Sequence, residues 1–559
     1  MQHDSSEIIY NNQSNFLDNR YSLTNPPSYE TYAYQPYPGP PPCSPDSKQS
    51  INNTEHTVSS AQYYGHVLLH PQNSILVVPA HHILMNNRSV TTITLQLRVF
   101  FILSGIAYLL WGALAIGLEI SLLLYSYSIY YRGIFLGFVM LGTSISMLII
   151  AFQISHLMIY MIILRTLSNM TFHQAEHSLL VIPGPIEVTD DVLFANATPS
   201  QSHMSKSFTQ TFGEAIKMFR QVLLTERGQP FILSGSGTLG WDMVASNLTE
   251  PGDEALVLHS GYFGQSFADC LEAYGAKVTQ LKAPVGQCPS REELVQALKA
   301  TKYKIVTVTH VDTSTGVLSN PRMVSEVVHE VSPDTLVVLD GVCSVGSEEI
   351  RMDEWSLDVV MCASQKGLGV PPGLSLVCAS ERAIHLVEAR KTKINSYFAS
   401  WLNWLPVMRG YEQGKPVYFA TPPVQLICAL HVSLKEITSK PIEERWAKHK
   451  QASTDFKQFV TDELGLKQVP NDSSIAANGM TAIYFPNGLS ASDIIPRLLE
   501  RGIVVAGGLH KEIKDKYFRI GHMGISVIDT TTRHDLEKIK DALRNVLNAA
   551  GYCTIAMLH

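Results

Sequence analysis

The chain has 559 residues, which at roughly 150 residues per domain is enough for three or four folded units. Hydrophobic residues make up 45% of it and charged residues only 16%, against about 25% in an ordinary soluble domain, so we expect part of it to lie in lipid. The net charge of -7 gives no basic field and excludes nucleic acid as the main partner. The eight cysteines form no C-x-x-C pair or zinc-spaced cluster, so we predict neither a disulfide framework nor a metal site, and a reducing compartment fits best.

The first 90 residues are rich in Pro, Tyr and Ser and have few periodic apolar positions. This composition predicts a disordered tail that is partly polyproline II. Its polar, acidic start is unlike a secretory signal or a transit peptide. Within the tail, Pro26–Tyr29 has the P-P-x-Y pattern that WW domains bind, which makes a WW-domain protein a candidate partner.

Two long apolar stretches follow between residues 91 and 168. Residues 99–125 contain Glu119 as their single charged side chain and residues 133–164 contain none, while about 20 apolar residues are enough to cross a bilayer. We therefore predict a transmembrane hairpin in contact with lipid, the alternative being two helices buried in a large soluble core. The position of Glu119 near the end of its span favours snorkelling to the interface over ion handling.

Basic residues flank this hairpin unevenly. Arg132 stands alone in the connecting loop, and three arginines flank the outer ends, namely Arg88, Arg98 and Arg165. This asymmetry predicts that both termini, and everything after residue 168, face the cytosol. The Tyr-rich tail and the small-residue-rich spans, including Tyr131–Gly137, resemble half of a four-span membrane protein of the CD20-like kind.

From residue 177 to residue 549 the pattern is that of an α/β enzyme. Short apolar runs alternate with amphipathic helical patterns. The runs are Phe231–Leu233, Ala255–Leu258, Ile305–Thr309, Thr335–Leu339 and Val359–Ala363, and the helical patterns include Arg291–Lys302 and Met323–Val331. This alternation predicts a mostly parallel sheet with helices on both faces, in which ligands bind at the carboxyl ends of the strands.

Two features lie at such strand ends. The turn Ser234–Thr238 leads from the first run into a helix expected near Leu239, an arrangement that can cup a phosphate or can be a plain turn. Asp340 ends a very apolar run, and Lys366 follows in a semi-apolar loop after the next one. Considered separately, Asp340 would be interpreted as a helix cap and Lys366 as a surface lysine. Together they suit pyridoxal phosphate, which needs a carboxylate for its pyridinium nitrogen and an amine for a Schiff base.

The same stretch resembles a known family along its whole length. The matching motifs are Pro183–Pro185, Ser234–Thr238, Gly261–Gln265, Thr309–Gly316, Asp340–Val342, Ser364–Lys366, Tyr418–Pro422 and Arg519–Gly521. In these motifs the chain is similar to alanine-glyoxylate and serine-pyruvate aminotransferases of class V, most of all to the fungal type. The resemblance implies fold type I, with a large cofactor-binding domain around a mostly parallel seven-stranded sheet (177–430) and a small C-terminal α+β domain (431–549). It also implies a homodimer whose active sites cross the subunit boundary.

The resemblance further implies a role for each motif residue. Lys366 would form the Schiff base with pyridoxal phosphate and then move the proton of the substrate Cα. Asp340 would keep the pyridine nitrogen protonated, and Phe263 would stack on the ring unless it is plain core. Arg519 would pair with the substrate carboxylate, beside Gly184. The residues implied to hold the phosphate or the edge of the cofactor are Ser236, Gly237, Thr238, Thr313, Gln365 and, from the other subunit, Tyr418 and Thr421.

The leading hypothesis is a transaminase that moves the amino group of alanine, or of serine, to glyoxylate. One substrate-binding arginine and no second basic anchor favour small amino acids and 2-oxo acids with one carboxylate. The alternatives are a cysteine desulfurase, which would have histidines in place of Phe263 and Gln365, and a membrane adaptor with an inert enzyme domain. Cys343 and Cys362 are predicted to be buried packing residues.

The predicted location is a membrane, with the catalytic domain on its cytosolic side. The chain ends in Ala556–His559, which is not the S-K-L peroxisomal address. If the N-terminal hairpin and the enzyme are separate polypeptides, a peroxisome or a mitochondrion becomes the alternative.

Overall fold

A computed structural model describes residues 172–553. The predicted tail with its P-P-x-Y motif, and the predicted hairpin with Glu119, lie outside the described residues. Within residues 172–553 no helix has both the length and the apolar character needed to cross a membrane.

The strands of residues 172–553 form four sheets. They are β1 (Leu179–Leu180), β2 (Gln229–Ser234), β3 (Glu254–His259), β4 (Lys277–Lys282), β5 (Ile305–Thr309), β6 (Val311–Asp312), β7 (Val317–Leu318), β8 (Leu336–Asp340), β9 (Val359–Ala363), β10 (Leu374–Ala379), β11 (Met480–Tyr484), β12 (Ile503–Val504), β13 (Ala506–Gly507) and β14 (Tyr517–Gly521).

The same residues also form fourteen α-helices. They are α1 (Asp190–Asn196), α2 (Lys206–Leu223), α3 (Gly237–Leu248), α4 (Tyr262–Ala273), α5 (Arg291–Ala300), α6 (Pro321–Val331), α7 (Glu381–Glu388), α8 (Trp401–Glu412), α9 (Val424–Ile437), α10 (Ile442–Gln458), α11 (Ala491–Leu499), α12 (Ile525–Ile528), α13 (Thr530–Arg533) and α14 (Asp535–Ala549).

The largest sheet has seven strands in the order β2-β10-β9-β8-β5-β3-β4. Six of them run parallel and β10 runs antiparallel to both of its neighbours. Strands β5, β8, β9 and β10 are buried at every residue because helices cover both faces of the sheet. Each apolar run predicted from the sequence overlaps one of these strands, so the predicted mostly parallel, seven-stranded α/β sheet is confirmed.

Local sequence signals explain where individual helices begin. Ser290 and Glu293 form a reciprocal capping box at the start of α5. Helix α6 begins two residues before the predicted Met323, because Asn320 caps it and Pro321 suits the first helical position.

A second, smaller core lies towards the C-terminus around the antiparallel sheet β11-β14-β13. Phe518 from β14 packs there with side chains of α11 and α14, including Ile494 and Ile539. Helix α10 joins the two cores, since Trp446 packs in the large core and Phe456 in the smaller one. The boundary predicted near residue 430 stays a prediction, and α9, which spans it, packs on the large core.

The fold brings several chain segments to one edge of the large sheet. Thr309, Asp340 and Ala363 end three parallel strands there. The antiparallel strand β10 begins at this edge with Leu374 paired to Ser234 at the end of β2. The loop between β9 and β10 therefore lies beside the loop that follows β2, and the predicted site residues Ser236, Asp340 and Lys366 are all carried at this edge.

Candidate active site

Lys366 lies in the loop between β9 and β10, and hydrogen bonds fix the shape of this loop. The Ser364 hydroxyl donates to the Pro371 carbonyl at 2.8 Å and accepts from the Leu374 N–H at 3.1 Å. The Lys366 side chain is only 8% exposed, and its Nζ donates to the Pro183 carbonyl. Burial lowers the pKa of Lys366, and the nearby guanidinium of Arg519 lowers it further. A lowered pKa leaves a larger fraction of the amine neutral near physiological pH, and only the neutral amine can act as a nucleophile or accept a proton.

Gly184 lies directly against this lysine. Its backbone has a φ of +102°, a conformation that favours glycine. A Cβ at this position would lie 2.3 Å from Cδ and 2.8 Å from Nζ of Lys366. The predicted placement of Gly184 in the site agrees with this geometry, because the missing side chain leaves the space that the lysine occupies.

Asp340 ends β8 as a buried carboxylate. Its Oδ2 accepts a hydrogen bond from Trp241 Nε1 at 2.9 Å, and its Oδ1 accepts one from the Val342 N–H at 3.1 Å. Burial raises the pKa of Asp340 to about 6, although both hydrogen bonds act to lower it. A carboxylate has about four lone-pair positions, so Asp340 can accept a further hydrogen bond from a ligand.

The predicted phosphate cup is formed by the turn before α3. Helix α3 begins at Gly237, two residues earlier than expected, and its N-cap residue Ser236 makes no side-chain cap bond. The hydroxyls of Ser236 and Thr238 are 2.5 Å apart, and both residues are exposed. A Cβ on Gly237 would lie 3.1 Å from the methyl groups of Val342, so the turn packs closely on the Asp340 loop. Free helix N-terminal groups with two hydroxyls are suited to an anion.

Gln365 precedes the lysine and carries an unpaired buried atom. Its Oε1 is shielded from solvent and has no hydrogen-bond partner among residues 172–553. Buried polar atoms nearly always have partners, so this side chain is suited to contact a bound group. The predicted role of Gln365 in cofactor binding stays a prediction.

Phe263 is held in place from the backbone side. The buried carboxylate of Asp312 accepts from the N–H groups of Phe263 at 3.2 Å and Gly264 at 3.3 Å. The Ser314 hydroxyl accepts from the Tyr262 N–H at 2.9 Å and donates to Asp312 at 2.6 Å. These bonds cap the start of α4, so the half-buried Phe263 ring has a fixed position.

Arg519 lies on β14 with part of its guanidinium engaged. Its Nε donates to the Gly507 carbonyl at 2.8 Å and its Nη1 to the Thr313 carbonyl at 3.0 Å. Thr313 is thus at the site, with its carbonyl rather than its hydroxyl holding the arginine. The remaining N–H groups of Arg519 can bind a carboxylate. Cys343 is buried in the core cluster beside these residues, and burial raises the pKa of its thiol, in line with the predicted packing role.

Tyr418 and Thr421 lie on the surface of this chain. Their hydroxyls are 3.5 Å apart, and the Tyr418 ring packs 5.3 Å from the ring of His203. Tyr418 is 61% exposed. The described contacts within this chain leave both residues outside the Ser236–Thr238 cup, so their predicted contribution to the other subunit stays a prediction.

Arg445 of α10 joins the two loops that carry Asp340 and Lys366. It donates to the Gly346 carbonyl at 3.0 Å and to the Gly367 carbonyl at 2.9 Å. The two loops cross closely, since a Cβ on Gly367 would lie 2.3 Å from the Val345 carbonyl oxygen. Helix α10 therefore helps to fix the relative position of the lysine and the carboxylate.

Sequence reasoning missed the roles of four of these residues. Trp241 lies four positions after Gly237, on the same helix face, and that spacing could have pointed to it. Asp312 and Ser314 have the spacing of a side-chain-to-backbone turn, which is a weaker signal. Nothing in the local sequence indicates the contacts of Arg445, because its partners are far away along the chain.

These observations fit pyridoxal phosphate. The site offers a buried amine, a buried acid with unfilled acceptor positions, an open anion cup and an unpartnered buried amide. Among residues 172–553 no group of His, Cys, Asp and Glu side chains has an arrangement that could hold a metal ion.

Comparison with known proteins gives the same family. The model of the class-V aminotransferases matches residues 190–549. The chain is 42% identical to alanine–glyoxylate aminotransferase 1 of Saccharomyces cerevisiae, over 62% of this chain and 92% of that protein. It is 31% identical to L-aspartate–glyoxylate aminotransferase of Paracoccus denitrificans, over 62% and 86%. The solved alanine–glyoxylate aminotransferase of a Nostoc species has a TM-score of 0.62 at 30% identity, covering 67% of this chain and 96% of that one.

The cofactor-site geometry and the match over residues 190–549 lead to the same conclusion. The chain belongs to the class-V aminotransferase family and is an aminotransferase that depends on pyridoxal phosphate.

Proposed function

We propose that this enzyme transfers the amino group of alanine, or of serine, to glyoxylate and so produces glycine. The observation that carries the proposal is that Lys366 and one partly free guanidinium, that of Arg519, lie in the same site. Lys366 is committed to the cofactor, so among the described site residues Arg519 is the cation left for a substrate carboxylate. Because one guanidinium pairs with one carboxylate, we expect substrates that carry a single carboxylate. The similarity to the yeast alanine–glyoxylate enzyme supports the same choice.

Different residues of the chain have different roles in such a reaction. Bound pyridoxal phosphate supplies a carbonyl for the amino group and a ring that accepts electrons. Lys366, when its amine is free, accepts the proton from the substrate Cα and returns it to the product. Asp340 accepts a hydrogen bond from the ring nitrogen and keeps that nitrogen protonated. Arg519 orients the substrate by pairing with its carboxylate.

We also propose that the enzyme works as a homodimer. Several large apolar side chains near Tyr418 in the sequence are exposed in the single chain, namely Tyr397, Phe398, Leu402 and Val417. Exposed apolar groups of this kind mark interaction surfaces. In such a dimer, Tyr418 and Thr421 would contribute to the phosphate cup of the partner subunit.

The N-terminal region supports a further proposal about location. The apolar composition of residues 99–125 and 133–164 supports an anchor that holds the enzyme on the cytosolic side of a membrane. The P-P-x-Y motif at Pro26–Tyr29 would then be available to a WW-domain protein in the cytosol.

The full-length protein, purified in detergent with pyridoxal phosphate, tests the catalytic proposal. Alanine, serine, aspartate and cysteine are each supplied with glyoxylate, and glycine is measured. We expect alanine or serine to give the highest kcat/KM, Lys366→Ala to abolish glycine formation, and Lys282→Ala, at an exposed lysine, to leave it unchanged. Aspartate as the best donor would contradict the proposed substrate class. Release of sulfur from cysteine would support a desulfurase, and failure to bind the cofactor would support the membrane adaptor.

A further inference from the structure

Trp241 packs against the acid that would face the cofactor ring. Its indole is only 6% exposed and stacks on Phe267, with ring centroids 5.6 Å apart and an interplanar angle of 13°. Helix α3 comes close enough for this contact because Gly240 has no side chain; a Cβ there would lie 3.2 Å from the sulfur of Met361. The stacking on Phe267 and the close approach of helix α3 to β9 together fix the direction of the indole N–H.

Among residues 172–553, the indole N–H is one of two donors that hold the Asp340 carboxylate. It binds Oδ2 at 2.9 Å, while the Val342 N–H binds Oδ1 at 3.1 Å. Each oxygen thus has one donor, and the plane of the carboxylate is set by both. Without the indole, Oδ2 would be a buried acceptor with no hydrogen-bond partner in the described part of the chain.

The charge state of Asp340 depends on the same contact. Burial raises its pKa to about 6 and the nearby carboxylate of Asp312 raises it as well, whereas the Trp241 hydrogen bond and Lys366 lower it. Cys362, buried on β9, is a further titratable group near this acid. Loss of the indole N–H would move the pKa of Asp340 upward, towards a neutral acid at physiological pH.

We propose that Trp241 is a positioning residue for transamination, which holds the Asp340 carboxylate ionised and correctly oriented toward the ring nitrogen of bound pyridoxal phosphate. The inference depends on the proposed function only where catalytic rates are measured. Its structural part, the bond between Trp241 and Asp340, can be tested in the cofactor-free protein.

Trp401 provides a matched control. It is 1% exposed and stacks on Phe231 at 5.2 Å and 14°, but its Nε1 has no hydrogen-bond partner among residues 172–553. Trp401→Phe and Trp241→Phe therefore remove the same group from similar surroundings, and only the second removes a bond to Asp340. Both are made in the full chain, and thermal melting checks that each variant folds.

We expect Trp241→Phe to weaken pyridoxal phosphate binding by about 10- to 100-fold and to reduce kcat by a similar factor. This is the effect of losing a hydrogen bond to a charged group. KM for the amino donor should change little, because Arg519 is untouched. Trp401→Phe should stay within about threefold of the wild type. In an Asp340→Asn background, Trp241→Phe should have little further effect, since interacting residues are not additive.

The cofactor-free protein gives a readout that does not require activity. Tryptophan emission of the wild-type chain, followed from pH 4 to pH 9, should show a transition with a midpoint of about 6, from titration of Asp340 beside the indole. The transition should be missing in Asp340→Asn and in Trp241→Phe. A transition that persists in Asp340→Asn, or equal cofactor affinities in the two Trp→Phe variants, would overturn the inference. A wild type that shows the transition but does not use alanine or serine would overturn only the proposed substrates.

Discussion

Gly184 and Lys366 share a space that holds only one side chain. Because a Cβ at Gly184 would overlap the lysine, Gly184→Ala should displace the amine. Misplacing a reacting group by about 1 Å can cost about 100-fold in rate, so we expect kcat to fall by about that factor. Steady-state kinetics of the full-length enzyme measures this.

Gly252→Ala is the matched control for that substitution. Gly252 also has a positive φ, +93°, but a Cβ there would meet no atom within 4 Å. Both alanines should cost about 1 kcal/mol of stability through backbone strain, and only Gly184→Ala should lose activity. Equal activities in the two variants would show that the lysine tolerates the methyl group.

The lowered pKa of Lys366 predicts how its reactivity depends on pH. Burial and the charge of Arg519 both favour the neutral amine, so in the cofactor-free protein half-maximal labelling of Lys366 should occur below pH 10.5. Mass spectrometry of the protein treated with a small amine reagent across a pH series measures this. The midpoint should move upward in Arg519→Gln, where the lowering charge is gone. No shift in that variant would contradict the electrostatic link between the two residues.

At the scale of a single element, α4 depends on the buried carboxylate of Asp312. Asp312→Asn keeps the size of the side chain but removes the charge that binds the first N–H groups of the helix. We expect a loss of about 1 to 3 kcal/mol in the free energy of unfolding, with weaker cofactor binding because Phe263 is carried on that helix. Chemical denaturation and cofactor titration measure the two effects.

The chain contains a matched control for this substitution too. Asp472 accepts from the N–H of Ser474 at 2.7 Å and from its hydroxyl at 2.6 Å, just as Asp312 does from Ser314, but it lies on the surface. Asp472→Asn should change the unfolding free energy by less than about 0.5 kcal/mol and leave cofactor binding unaltered. Similar losses in both variants would remove the special role assigned to Asp312.

The elements also show which parts of the site could be predicted from sequence. Apolar runs such as Thr335–Leu339 form strands because both faces of the sheet are buried, and an unbroken apolar run is the sequence pattern of such a strand. Asp340 and Lys366 follow from their positions after such runs. The four-residue spacing of Trp241 from Gly237 is a weak local signal for its role. Arg445 acts through contacts with distant loops, and no local sequence pattern predicts those contacts.

At the scale of the whole molecule, the exposed apolar side chains predict how copies associate. Leu402 is 45% exposed on the proposed dimer surface, and Leu499 is 55% exposed on α11, in the smaller core region. Leu402→Asp should weaken the dimer and lower activity through the loss of Tyr418 from the partner site, while Leu499→Asp should do neither. Light scattering of the detergent-solubilised chain measures the mass. A monomeric wild type with full activity would contradict the proposed dimer.

The overall topology could be predicted only in part. The alternation of strands and helices indicates the parallel sheet, but the antiparallel direction of β10 and the pairing of Leu179 with Ile503 follow from contacts between distant segments. A two-residue strand such as β1 has too few residues for a periodic pattern. Strand β1 is therefore recognised only through its pairing with β12.

These long-range pairings also bear on the order in which the protein can be completed during synthesis. The cup after β2 leaves the ribosome early, but the Gly235 N–H bonds to the Gly373 carbonyl, and β2 pairs along its length with β10. The segment before Gly184 is held by its pairing with β12, and Arg519 is translated after β12. A nascent chain therefore carries an unfinished active site until the segments beyond residue 500 have been translated, so the lysine, the cup and the substrate-binding arginine cannot come together before then.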